Sequence, residues 1–176
     1  MRTTVGLRPI VLIAIMFAAG CTTGGWDGVI NPADRPAEKT AFPEISDWET
    51  LRISADHGGC PPFPCPGYRV EIAGDGTVTY DGKFLVSVAG HRTARISRAK
   101  IHSLVQKFRR AEFFWADGYY WGGLEDGGSY SISIAFDGRT KTIDCRDGGG
   151  PPPGIYELMD EVDRTAGTAR WVGRTW

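Results

Sequence analysis

The chain has 176 residues, 41% of them hydrophobic and 23% charged, with 20 Lys and Arg against 21 Asp and Glu and a formal net charge of -1. That hydrophobic content with so little net charge excludes a disordered chain, and the flat balance excludes the basic footprint of an ordinary nucleic-acid binder. Four cysteines are too few for a small disulfide scaffold, and the length suits one domain with its own core.

Residues 1–20 read as a targeting segment. Arg2 and Arg8 form a positive start, and the apolar run Ile10–Ala19 is about ten residues, roughly half of a membrane span. Ala18-Ala19-Gly20-Cys21 then places a cysteine directly after small residues. This resembles the lipobox of bacterial lipoproteins, with Ala18 where Leu is usual, and implies acylation of Cys21 before cleavage. The alternative is an ordinary signal peptide cut near Gly20. Two or three acyl chains, at ~0.8 kcal/mol per buried CH₂, would anchor the protein stably. Thr22 in place of Asp after the cysteine resembles lipoproteins sent to the periplasmic face of the outer membrane.

Residues 21–47 then comprise the lipidated cysteine and a flexible tether, rich in Gly and Pro and without periodicity. Such a tether spans on the order of 30 Å. Folded structure is expected over 48–172, with 173–176 as a tail.

Within 48–172 the first period is two. Leu51, Ile53 and Ala55 alternate with polar residues, as do Tyr68, Val70 and Ile72. Asp75-Gly76 predicts a hairpin turn with positive φ at both positions, followed by Val78 and Tyr80. Asp81-Gly82 predicts a second turn before Phe84, Val86 and Val88. Ile101, Leu104, Val105, Phe108 and Ala111 then take helical spacing behind Ser97 as N-cap. Alternation returns at Tyr130, Ile132 and Ile134, turns at Asp137-Gly138 and continues through 140–145. After Pro151-Pro152-Pro153-Gly154 a second helix presents Ile155, Leu158, Met159, Val162 and Ala166, with Gly167 as C-cap.

Tyr68–Ile72 precedes Asp75-Gly76 by the offset at which Tyr130–Ile134 precedes Asp137-Gly138. Two β-hairpin–helix halves would explain this, as would the general likeness of Asp-Gly hairpins. The expected fold is α+β: an antiparallel sheet of five or six strands with two amphipathic helices on one face.

Taken together, Cys65-Pro66-Gly67-Tyr68, Gly74-Asp75-Gly76, Thr93-Ala94-Arg95-Ile96-Ser97, Ala111-Glu112-Phe113-Phe114 and Ala166-Gly167-Thr168-Ala169-Arg170-Trp171 resemble one family. It is a bacterial domain-of-unknown-function family, six-four-three-eight, found in secreted proteins and lipoproteins and sometimes joined to ankyrin repeats. The resemblance covers about Leu51 to Val172. It departs at the cysteine pair, usually one residue closer, and at Tyr119–Ser129. It implies a fold and no catalytic residue.

Three candidate sites stand out. Cys60 and Cys65, in an oxidising compartment, favour a disulfide worth roughly 2 kcal/mol by loop closure. The alternative joins them with His57 in a metal-dependent or thiol-redox envelope enzyme, although redox pairs are usually two residues apart at a helix start. Cys145 shares parity with Ile143 and reads as a buried free thiol.

The second candidate is the aromatic loop, in which Phe113 and Trp115 are expected to close the end of the core and Phe114 to cap it. Tyr119, Tyr120 and Trp121, beside Gly122-Gly123, either cap that core or stack on a sugar or protein partner.

The third is a basic stretch of Arg92, Arg95, Arg98, Lys100, Lys107, Arg109 and Arg110 with no acid, followed by a mainly acidic segment. Arg98 and Lys100 oppose the macrodipole at a helix start, so an anionic lipid, peptidoglycan or an acidic protein is a candidate partner. Pairing with acids across the fold is the alternative. Asp137, Asp144, Asp147, Glu125 and Asp126 lie mainly in turns, where Asp has a backbone role. His57, His91 and His102 match no nucleophile motif, and Gly148-Gly149-Gly150 precedes prolines rather than a phosphate-binding helix. No catalytic set, metal site or cofactor is therefore assigned, and the expected function is a lipid-anchored envelope binding or scaffolding module.

Overall fold

The computed structural model describes residues 41–60, 63–123, 127–146 and 148–173. The expected signal segment, Cys21, most of the expected tether, Glu125, Asp126 and Asp147 lie outside the described residues. A 3-10 turn at Trp48–Thr50 leads into β1 (Arg52–Cys60), β2 (Phe63–Ala73), β3 (Thr77–Phe84) and β4 (Gly90–Arg95). Then come α1 (Arg98–Arg110), β5 (Tyr119–Trp121), β6 (Ser129–Phe136), β7 (Arg139–Arg146), α2 (Pro153–Ala166) and the short α3 (Ala169–Val172). The strands form one seven-stranded sheet in the order β4-β3-β2-β1-β6-β7-β5. All neighbours are antiparallel except β5, which runs parallel to β7.

The sheet thus has seven strands instead of five or six, and it is mixed. The additional strand is the aromatic segment: Tyr119–Trp121 lies against Asp144–Arg146 as an edge strand. Asp81-Gly82 makes no turn, because β3 runs through it to Phe84. Gly82 is needed instead for close packing, since a Cβ there would overlap the Val88 carbonyl oxygen and crowd the Tyr80 ring. The chain reverses over 85–89, where the backbone N–H groups of Ser87 and Val88 donate to Val172 and Trp171.

The alternation sorts the two sheet faces. Ile53, Ala55, Val70, Ile72, Val78, Ile132, Ile134 and Ile143 are buried on one side, in one core with Ile101, Leu104, Val105 and Phe108 of α1 and Ile155, Leu158 and Val162 of α2. Both helices therefore cover the same face. The two look-alike segments flank β1 at identical register: His57 is opposite both Tyr68 and Tyr130, Ala55 both Val70 and Ile132, Ile53 both Ile72 and Ile134. Asp137 (φ 50) and Gly138 (φ 73) form the expected turn with both φ positive. In the first hairpin only Gly76 (φ 93) is left-handed, and the loop is Gly74-Asp75-Gly76. Gly167 (φ 72) ends α2 as a left-handed C-cap.

Packing starts before Trp48. Ile45 is buried, and Phe42 meets Phe114 and Phe136 at centroid distances of 5.0 and 5.7 Å. Residues 42–47 therefore belong to the folded unit rather than to the tether. Asp137 pins them, its carboxylate accepting from the Ser46 and Asp47 N–H groups at 2.7 and 3.0 Å. Those donors hold the carboxyl below the usual range, as the Thr77 N–H and hydroxyl do for Asp75. Because the folded pKa lies below the unfolded one, this stabilisation is full above the unfolded carboxyl range and is lost as pH falls through the folded pKa. Chemical unfolding midpoints are expected to drop on acidification below about pH 5, and Asp137→Asn to flatten that drop. An equal acid dependence in wild type and Asp137→Asn would show that the clamp contributes nothing.

Candidate functional site

The first cysteine pair forms a disulfide, Cys60–Cys65, with the Cα atoms 5.3 Å apart. It closes the tip of the β1–β2 hairpin. His57 lies three residues before Cys60, yet its Nε2 meets Asp163 Oδ2 on α2 at 2.9 Å. Tyr68 donates its hydroxyl to the same oxygen at 2.9 Å, and Thr168 donates to Asp163 Oδ1 at 2.8 Å. The His57 ring stacks on Tyr68 at 4.3 Å. A carboxylate only accepts, so His57 carries its proton on Nε2. Burial, with Asp163 adding to it, raises the Tyr68 hydroxyl far above its ordinary pKa. This clasp ties the α2–α3 corner to the strands. No sequence signal pointed to it, because its His and Asp are 106 residues apart.

Among the described residues, no three His, Cys, Asp or Glu side chains gather in a group that could hold a metal ion. Cys145 is a buried free cysteine whose thiol burial pushes up to about 11, which leaves almost no thiolate at neutral pH.

The basic stretch is largely consumed by pairing. Arg98 donates to Glu49 at 2.7 Å, and Arg109 grips Glu44 through both terminal nitrogens at 2.9 and 3.1 Å. Lys107 pairs with Glu161, and Arg95 donates to the Asp75 carbonyl at 3.0 Å while facing its carboxylate. Arg92 turns back onto the His91 carbonyl at 2.6 Å. Arg92, Lys100 and Arg110 have no acidic partner among the described residues.

The aromatic segment divides by parity. Phe113 is buried and Phe114 packs half-buried against Phe42 and Phe136, whereas Trp115, expected in the core, is 41% exposed. Tyr120 points to the helix side with Cys145 and is buried; its hydroxyl accepts from the Asp117 N–H at 3.1 Å. Tyr119 and Trp121 point to the opposite face, which no helix covers among the described residues, and are 48% and 43% exposed. They stand opposite Asp144 and Arg146. Tyr119 and Trp121 on β5 and the basic Arg92 and Arg95 on β4 thus occupy opposite ends of the strand order. Six strand spacings of ~4.8 Å separate β5 from β4, about 29 Å.

That bare face is otherwise polar. Over β1–β3, Asp56 meets Lys83 at 3.1 Å and Arg69 at 3.6 Å, and Glu71 meets Arg69 at 3.7 Å. Over β6 and β7 it carries hydroxyls, with Thr142 donating to Ser133 at 3.1 Å. Among the described residues, helices on one side of the sheet and a polar, aromatic-edged side without helices on the other define a two-layer α+β domain with an open sheet face. More particularly, the chain belongs to the family described as a domain of unknown function (DUF6438), whose model matches residues 52–166. Comparison with the curated proteins finds no match. Among the described residues no helix is long and apolar enough to cross a membrane.

Proposed function

We propose that the protein is a binding module of the bacterial cell envelope, held at the periplasmic face of the outer membrane by an acylated Cys21. The observation that carries the binding reading is the pair Tyr119 and Trp121, exposed on the bare face beside Asp144 and Arg146. Aromatic rings on a hydrogen-bonded strand lose little conformational freedom on binding and serve well as anchors. The anchor reading rests on Ala18-Ala19-Gly20-Cys21 after the short apolar run.

A photo-crosslinking residue at Tyr119, in cells carrying the full chain, is expected to yield an adduct. The same residue at Tyr156, equally exposed on α2, is expected to yield none. Equal crosslinking at both positions would remove the assigned surface. Cys21→Ser is expected to move the protein from the membrane to the soluble fraction, and its retention with membranes would refute the anchor.

A further inference from the structure

The ladders set the bare-face side chains in rows across the strands. One row runs Tyr119, Asp144, Ser131, Asp56, Arg69. The next runs Trp121, Arg146, Ser129, then Gly58 and Gly67, which have no side chains. A Cβ on Gly58 would collide with the Ser129 hydroxyl, so these positions keep the floor low. Phe84 completes the second row: it is opposite Gly67, and its ring occupies the space that a side chain on Gly67 or Gly59 would take. Leu85 follows it in the left-handed region at φ 54, which ends β3 abruptly and leaves Phe84 46% exposed at the corner.

We propose that this face binds an uncharged polysaccharide chain laid across the strands. Phe84 and Trp121 stack on sugar rings at the two ends, with Tyr119 beside Trp121. Asp144, Arg146 and Ser131 take hydroxyl groups between them. The proposal rests on the binding-module reading above and names its ligand class.

Three features favour this ligand. Gly67, beneath the Phe84 ring, is four strand spacings from Trp121, about 19 Å at ~4.8 Å per strand. Protein partners are usually anchored by apolar side chains clustered in one desolvated centre, and these rings are spread apart with polar groups between them. A chain of sugars has separate C–H faces for separate aromatic rings, whose electron-rich faces attract them. The planar carboxylate of Asp144 accepts, and the guanidinium of Arg146 donates, in the forked geometry that suits neighbouring hydroxyls. The third feature is charge. Asp56 is held by Lys83 and Arg69, and Asp144 stands beside Arg146, so among the described residues the face presents no field of one sign to steer a polyanion or a polycation.

The test is retention of the purified chain by chitin, cellulose and peptidoglycan sacculi, at low salt and at about 0.5 M salt, where exposed charges are screened. Retention by chitin or cellulose at both salts is expected, weakened about tenfold or more by Trp121→Ala and by Phe84→Ala. Gly67→Ala tests the same ring without deleting it. The new methyl displaces Phe84 and is expected to weaken retention with unchanged circular dichroism. No retention by chitin or cellulose overturns the proposal. So does retention that all three variants leave intact. Capture by sacculi alone, lost at high salt, assigns a charged ligand and also overturns it. A Tyr119-specific crosslink to a protein without polysaccharide retention leaves the binding module standing and removes the sugar, whereas loss of both removes both.

Discussion

Asp163→Ala is expected to destabilise the domain by about 3 kcal/mol, the cost of leaving buried donors without an acceptor. Asp163 receives hydrogen bonds from Tyr68, Thr168 and His57, and the first two of these residues are buried. Near-UV circular dichroism should show a melting temperature about 10 °C lower. Tyr68→Phe made on top of Asp163→Ala should recover part of the loss, because it removes one orphaned hydroxyl. A melting point within a degree or two of wild type would mean that water replaces the carboxylate at little cost, and that the clasp does not hold the α2–α3 corner.

Gly74→Ala is expected to cost about 2 kcal/mol or more, in the range of overpacked sites. Gly74 donates its N–H to the Leu51 carbonyl at 2.9 Å, and a Cβ there would overlap the carbonyl oxygen of Trp48. That oxygen is backbone and accepts from Leu51 N, so it cannot swing aside. The 3-10 turn would shift, along with the Trp48 ring stacked 3.8 Å from His102. Gly138→Ala is the comparison. Gly138 has open space around it and only its φ of 73 to satisfy, so its cost should stay near 1 kcal/mol. Denaturant midpoints for the two variants separate the cases, and an equal loss would refute the steric argument at Gly74.

These two glycines show what local sequence can convey. Both sit in hairpin loops beside an Asp and look interchangeable. The Asp137-Gly138 turn is readable because its requirement, positive φ at consecutive residues, is local. The requirement at Gly74 comes from a carbonyl on another element. Tyr119–Trp121 was readable as an aromatic segment that either caps the core or meets a partner, but not as a strand. Three residues carry too little periodicity, and their hydrogen bonds go to β7, more than twenty residues away. The turn expected at Asp81-Gly82 failed for a similar reason, since Gly82 serves packing against 88 rather than reversal of the chain.

The sequence by itself determined the α+β class, the two amphipathic helices and the alternation of the main strands, and it favoured the pairing of Cys60 with Cys65 that the structure contains. These depend on side-chain period, φ preferences and proximity along the chain, all of which act over a few residues. Tertiary structure alone decided that most of the basic stretch is spent on acids, that His57 turns to Asp163, and that Phe84 shares one face with Tyr119 and Trp121. Each of those depends on strand register and helix placement between distant segments. A shift of one residue in any pairing would send the same side chains to the opposite face.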